Sequence, residues 1–203
     1  DPTMSRGLGD VYKRQALKGI HVIDVEILQS TKKIKKLNVL HVFITLMSNF
    51  LSKKLLSLNL NRKNDAMSLA NYKPFVVFEK LIFISGQLPF EKNKLKFTGK
   101  IDTELSDEEA QQSVYLSTNN LLWNLNDAID QFKINRIRCV NLRGYLNCTE
   151  TFKNHSVLFD FSSNLLIKVL GEADGSHSRS VIGVNSLPKE SPIEIDGIFG
   201  ILD

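Results

Sequence analysis

The 203-residue chain is 42% hydrophobic and 24% charged, values that suit one globular domain with a buried core. Its formal charge of +4 is unevenly placed: residues 1–66 hold 12 Lys+Arg against 5 Asp+Glu, a net of +7, and residues 67–203 hold 14 against 17, a net of −3. The basic balance belongs to the leading segment, so bulk charge gives the remainder no footprint for nucleic acid.

Two cysteines, Cys139 and Cys148, exclude a disulfide scaffold and show no zinc-type spacing, which leaves a reducing cytoplasm as the default compartment. The four histidines fall in no ligand-type repeat. No apolar run reaches the roughly 18–20 residues of a membrane span.

Residues 1–15 are rich in glycine and charge without apolar periodicity, and read as a non-native leader. Residues 16–46 form an unassigned extension, with a lysine cluster before an interrupted apolar stretch. The domain proper is expected over 47–203. Residues 47–59 place Phe50, Leu51, Leu55, Leu56 and Leu58 at near-helical spacing and predict a short amphipathic helix. Residues 59–65 read as a polar linker.

From residue 71 the texture turns to β-branched and aromatic runs. Residues 74–77 and 81–84 predict a hairpin that stops at Ser85-Gly86-Gln87-Leu88-Pro89. Residues 95–97 predict a short strand and 98–100 a turn. Ser106-Asp107-Glu108-Glu109 is a capping box, and its acids suit the positive end of a helix dipole. That helix is expected to reach Phe132, with Val114, Leu121, Leu122, Leu125, Ala128 and Ile129 inward.

Residues 135–147 predict a strand in which Ile137, Cys139, Asn141, Arg143 and Tyr145 alternate with Arg138, Val140, Leu142, Gly144 and Leu146. Residues 154–170 predict a second helix, with Val157, Leu158, Phe161, Leu165 and Val169 as its apolar stripe and Gly171 as its stop. A polar loop follows over 172–176. Two strands then flank a Leu187-Pro188 turn and read as neighbours. Arg179 opens the first and Glu194 lies in the second.

The order β-β-β-α-β-α-β-β predicts an α+β domain: a mixed β-sheet with two helices packed on one face. Ile182, Val184, Ile193 and Ile195 are more apolar surface than one helical layer covers, so a symmetric oligomer is expected to cover the other face. Arg179 and Glu194 could form a plain cross-strand ion pair or the two halves of a site for a small carboxylate. A His177 hydrolase pair with Ser85 or Ser180 lacks a nucleophile elbow and a third member. Cys139 is expected to be a buried strand residue.

Several of these motifs occur together in a known family. The Ser85-Gly86-Gln87-Leu88-Pro89 element, the Ser106–Glu109 helix start and Arg179-Ser180 ahead of Val184, Leu187-Pro188 and Ile193-Glu194-Ile195-Asp196 resemble the RidA/YjgF family. The subgroup whose strand reads His-Ala-Arg-Ser-Ala-Val-Gly-Val is similar to residues 177–184. The resemblance covers about residues 47–203.

It implies a chorismate-mutase-like fold and a cytoplasmic homotrimer with ligand clefts between subunits. The activity it implies is hydrolysis of enamine and imine intermediates, such as 2-aminoacrylate, to 2-keto acids and ammonia. It implies no metal or organic cofactor; that no nucleic acid or membrane is bound is expected from the charge balance and the short apolar runs. A non-catalytic 2-keto acid binder and an endoribonuclease or translation inhibitor are the alternatives.

In this resemblance Arg179 anchors the substrate carboxylate, Glu194 positions water, and Ser85 is a pocket hydroxyl. The backbone at Val181 lines the imine end, and His177 belongs to the pocket wall. Two residues depart from the family pattern. Phe75 replaces a common tyrosine. Asp160 replaces a common asparagine, where a carboxylate could repel an anionic ligand or pair with Arg179 of a neighbouring subunit.

Overall fold

The computed structural model describes residues 49–64 and 71–202, all within the compact unit Met47–Asp203. The expected leader and extension lie outside the described residues. The elements are α1 (Phe50–Ser57), β1 (Phe75–Phe78), β2 (Leu81–Gln87), β3 (Phe90–Glu91), β4 (Lys94–Leu95), α2 (Asp107–Phe132), β5 (Ile137–Asn147), α3 (His155–Leu170), a helical turn α4 (Glu172–Gly175), β6 (Ser178–Val184) and β7 (Ile193–Ile201). β3 and β4 pair as a small separate hairpin that the sequence reading missed in part. The polar loop expected over 172–176 is instead the turn α4.

The main sheet runs β1-β2-β7-β5-β6, antiparallel except for the β5–β6 pair. This corrects the expectation that β6 and β7 are neighbours. The unit β5-α3-β6 is a parallel crossover, which sets β6 on the outer side of β5 at the sheet edge. β7 then takes the inner side of β5. A short 3-10 turn at Pro188–Glu190 carries the chain across, with Lys189 and Glu190 at φ 57° and 60°.

α2 begins as its sequence dictates. The Ser106 side chain accepts from the Glu109 backbone N–H, and the Glu109 carboxylate accepts from the Ser106 N–H. Its buried side includes Val114, Leu121, Leu122, Leu125, Ala128 and Ile129, as expected, and Trp123 is buried too, donating to the Leu60 carbonyl at 2.9 Å. α3 is turned from the expected stripe. Leu158, Phe159, Ser162, Leu165, Leu166 and Val169 are buried, while Val157 is 64% exposed and Phe161 42%. The turn seats Phe159 over Gly144 of β5, where a Cβ would overlap the phenyl ring.

β5 also breaks its expected alternation. A bulge between Cys139 and Asn141 inserts one residue, so Ile137 and Cys139 share the buried face with Leu142, Gly144 and Leu146 rather than with Arg143 and Tyr145. Ile193, Ile195, Gly197 and Phe199 of β7 face the same way, beneath the helices. Ile193 and Ile195 are therefore core, contrary to their expected place on the bare face. The opposite face carries Val76, Phe78, Leu81, Phe83, Val140 and Ile182, with Phe78 64% and Ile182 52% exposed. Together they leave large apolar side chains exposed on one sheet face.

Candidate functional site

Sheet topology sorts the candidate residues into two groups. The first lies at the β6 edge on the helix-facing side. Arg179 pairs in register with Leu142, and Val181 with Gly144, so both point toward α3. α3 offers Ser156, Phe159, Asp160 and Ser163, which share one helical stripe at i, i+3, i+4 and i+7.

Arg179 lies against this stripe. Its Nη1 donates to Ser163 Oγ at 2.9 Å, its Nη2 donates to the Ser156 carbonyl at 3.4 Å, and Nη2 pairs with Asp160 Oδ1 at 2.7 Å. The guanidinium also lies 5.8 Å from the Phe159 ring centroid. The Arg179 side chain is 26% exposed and that of Asp160 53%. Asp160 is thus paired with Arg179 of its own chain; the alternative of a pair to a neighbouring subunit is not needed to explain it.

His177 closes this group. Its Nδ1 is 2.6 Å from the Gly175 carbonyl, which only accepts, so Nδ1 carries a proton. Nε2 is 3.1 Å from Ser163 Oγ. Arg179 can only donate, so the Ser163 hydroxyl accepts from it and is left to turn its own proton toward Nε2. His177 therefore orients the serine that holds the arginine, and it contacts neither Ser85 nor Ser180.

The second group lies on the other side of the sheet. In register with Tyr145, Glu194 points to the face away from the helices, as does Asp196 opposite Arg143. β2 bulges between Ile84 and Gln87, so Ser85 and Gly86 together face the single residue Asp196. The bulge brings Gly86 directly under Glu194, where a Cβ would overlap the carboxylate. Ser85 donates to the Lys73 carbonyl at 2.7 Å. On the α2 side of Gly86 and Gln87, and so not on the Glu194 face, a cavity of about 150 Å³ is lined by Arg62, Tyr72, Trp123 and Asn124. Phe75 belongs to neither group: paired with Ile84 in the edge strand β1, it faces the helices and packs part-buried against the core, on the opposite side of the sheet from Glu194.

The two acids of β7 have different surroundings. Asp196 accepts from Arg143 Nε at 2.7 Å and from Tyr145 Oη at 3.3 Å. That bond holds the Arg143 guanidinium more basic than usual, and burial with the Asp196 charge raises the Tyr145 phenol. No donor among the described residues pairs with Glu194. Burial first, and then the nearby Asp196 charge, pushes its carboxyl above the ordinary 4.5. Asp196 is a structural acid here, and Glu194 is the one left with free lone pairs.

Arg179 and Glu194 do not meet within one chain. They lie on opposite faces, with β5 between their strands, and their registers differ by three residues. Neither the cross-strand ion pair nor a single-chain clamp is formed. Among the described residues no group of three or more His, Cys, Asp or Glu converges as a metal site. Cys139 is buried, and burial pushes its thiol up to about 12, far from a reactive thiolate.

Residues 52–196 match the family model described as YjgF/chorismate mutase-like, putative endoribonuclease. The chain belongs to the RidA/YjgF family. The crystal structure of the Agrobacterium tumefaciens protein Atu1372, of unknown function, is 31% identical, with a TM-score of 0.66 over 80% of this chain and 99% of that one. A Shewanella oneidensis structure bearing the same endoribonuclease description is 27% identical, with a TM-score of 0.68 over 76% and 100%. Protein TCP17 of Trypanosoma cruzi is 27% identical over 66% of this chain and 82% of its own length.

In this RidA/YjgF chain, the residues that the sequence reading missed are Ser156, Phe159, Ser163 and Gly86. The first three share a helical stripe with Asp160, which was passed over because the apolar residues of α3 drew the reading to its other sides. Gly86 was visible only as part of a strand stop. The strand in fact continues through Gln87.

Proposed function

We propose that this RidA/YjgF chain hydrolyses reactive imines and their enamine tautomers to a carbonyl compound and ammonia. The cleft would be built by two copies, with the β6 edge of one facing the Glu194–Gly86 floor of another. The observation that carries the reading is Glu194: a part-buried carboxylate without a donor among the described residues, seated in the space that the missing Cβ of Gly86 leaves. A carboxyl with a raised pKa exchanges protons more readily near neutral pH than an exposed glutamate does.

The chemistry asks little more. Water adds through its oxygen to the electrophilic imine carbon, and Glu194 takes the proton it loses. The imine nitrogen enters already protonated, as the iminium, so the C=N electron pair moves onto it to give a neutral carbinolamine. Glu194 returns its proton to that nitrogen. The C–N bond breaks, ammonia leaves, and the hydroxyl gives its proton to solvent as the carbonyl forms, which replaces the proton that made the iminium. The sum is one imine and one water to one carbonyl and one ammonia. Arg179, with Ser163 and His177 holding it, would fix the far end of the substrate. The backbone at Val181 and the Ser85 hydroxyl would flank the reacting end.

Apolar residues on the open sheet face support a homo-oligomer, and we propose the homotrimer expected from the family. Among the described residues no helix is long and apolar enough to cross a membrane. The test is ammonia release from imines generated in situ by an oxidase. Turnover well above background, lost in Glu194→Ala, is the expected result; equal rates for wild type and Glu194→Ala would count against the reading.

A second reading has its own support. Arg179 is already engaged by Asp160 and Ser163, which suits a site that binds a metabolite without turning it over. Saturable, Arg179-dependent binding with no ammonia release would select it. The endoribonuclease description of the family is opposed by the net of −3 over residues 67–203, since RNA affinity rests on phosphate neutralisation.

A further inference from the structure

We infer that Asp160 sets the substrate class: it acts as a built-in counter-ion that turns the Arg179 subsite away from carboxylates and toward imines bearing a neutral group with one acceptor and one donor. The inference rests on the imine-hydrolase reading and narrows it.

Recognition of a carboxylate by arginine depends on two parallel N–H groups and an uncompensated positive charge. Neither is offered here. Nη2 gives its two N–H groups to Asp160 at 2.7 Å and the Ser156 carbonyl at 3.4 Å, and Nη1 gives one of its two to Ser163 at 2.9 Å, so no pair of parallel Nη N–H groups is left. The Asp160 carboxylate already stands where a ligand carboxylate would make its fork, and the pair is formally neutral. An entering anion must displace Asp160 or lie against its charge, and like-charge juxtaposition is a strong discriminator.

The pair has an affinity of its own. Asp160 is 53% exposed, so it presents free acceptor lone pairs beside the one Nη1 N–H that Ser163 leaves unused. An adjacent donor and acceptor complement a group that is itself neutral and offers both, such as a carboxamide. The carbonyl oxygen would accept from Arg179 and the amide N–H would donate to Asp160. The rest of the subsite holds this arrangement in place. His177 fixes Ser163, Ser163 fixes Nη1, and Phe159 sits beneath the guanidinium. Asp160 itself lies on the same helical stripe as Phe159 and Ser163, so its position is set by α3 and not by a mobile loop.

The test uses pyruvate and pyruvamide, which share a shape and differ in charge. Calorimetric titration of the full chain is expected to show pyruvamide binding at least about tenfold more tightly than pyruvate. Asp160→Asn is expected to tighten pyruvate by about tenfold or more, with a smaller change for pyruvamide, because the arginine regains its net charge. Asp160→Ser is the second variant if the first folds poorly, with the same direction expected. Tighter binding of pyruvate by wild type, an unchanged preference in both variants, or no binding of either probe overturns the inference.

A parallel arm separates this from the activity reading. Imines made by an amine oxidase, which lack a carboxylate, are compared with those made by an amino-acid oxidase. Equal kcat/KM for both classes sinks the specificity inference and leaves the hydrolase standing. No turnover of either, with the binding preference intact, sinks the hydrolase and leaves the role of Asp160.

Discussion

Two carboxylates two residues apart on β7 have been given opposite tasks by their neighbours. Arg143 and Tyr145 hold Asp196, and nothing among the described residues holds Glu194. Because burial and Asp196 raise the folded pKa of Glu194 above 4.5, the native protein keeps a proton that the unfolded chain has already released. Stability from this group is complete below that interval and is lost as pH rises through the folded value. Glu194→Gln removes the ionisation. Its melting temperature is expected to exceed that of wild type at pH 8 and to approach it near pH 4, with imine turnover lost. Thermal melts at the two pH values check the sign; a constant offset would mean that Glu194 ionises as freely folded as unfolded. Asp196→Asn removes the lesser cause of the raised pKa. The acidic limb of the activity profile is then expected to move to lower pH, and only in part, since burial remains. A pH–rate profile that does not move would show that Asp196 is not felt at Glu194.

At the scale of elements, one contact joins sheet, helix and site. Phe159 of α3 rests on Gly144 of β5 and carries Arg179 above it. Gly144→Ala forces the ring outward against a packed core, a change expected to cost about 1–3 kcal/mol. Urea unfolding should show a lower midpoint with an unchanged slope, and an unchanged midpoint would mean that α3 yields freely. Sequence spoke unevenly about such contacts. The α2 cap and extent, the Gly171 stop and the two-layer α+β plan could be read because each rests on local chemistry: a serine reaching its own first turn, acids at a dipole, a glycine after an apolar run. The α3 face was misread because Val157 and Phe161 fit a helical period as well as Phe159 and Leu166 do. Only the Gly144 gap opposite decides between them. The β5 bulge flips Arg143 and Tyr145 to the open face by a single inserted residue, which alternation cannot foresee. The same holds for the bulge at Ser85 and Gly86, where an apparent strand stop is the seat of Glu194. Arg179 and Glu194 stood out in the sequence as charges on apolar strands, but their strands are not adjacent as expected, because a crossover can place β6 on either side of its neighbours and only the whole sheet fixes which.

For the whole molecule that misplacement is the most informative result. If Arg179 and Glu194 serve one substrate, they must come from different copies, since within a chain a sheet lies between them. The open apolar face around Phe78, Phe83 and Ile182 supplies a reason for copies to associate. A mixing experiment follows. Arg179→Ala and Glu194→Gln are each expected to be inactive alone. When the two are unfolded together and refolded, random assembly leaves about a quarter of the clefts with an intact arginine from one copy and an intact glutamate from its neighbour. Ammonia release is therefore expected to return to about a quarter of the wild-type rate per site. Mixing without unfolding should restore less, in step with subunit exchange. The outcome is decisive because the rival arrangement predicts none of it: if each chain used its own pair, every cleft in the mixture would lack one partner, and the refolded mixture would be as inactive as its parents.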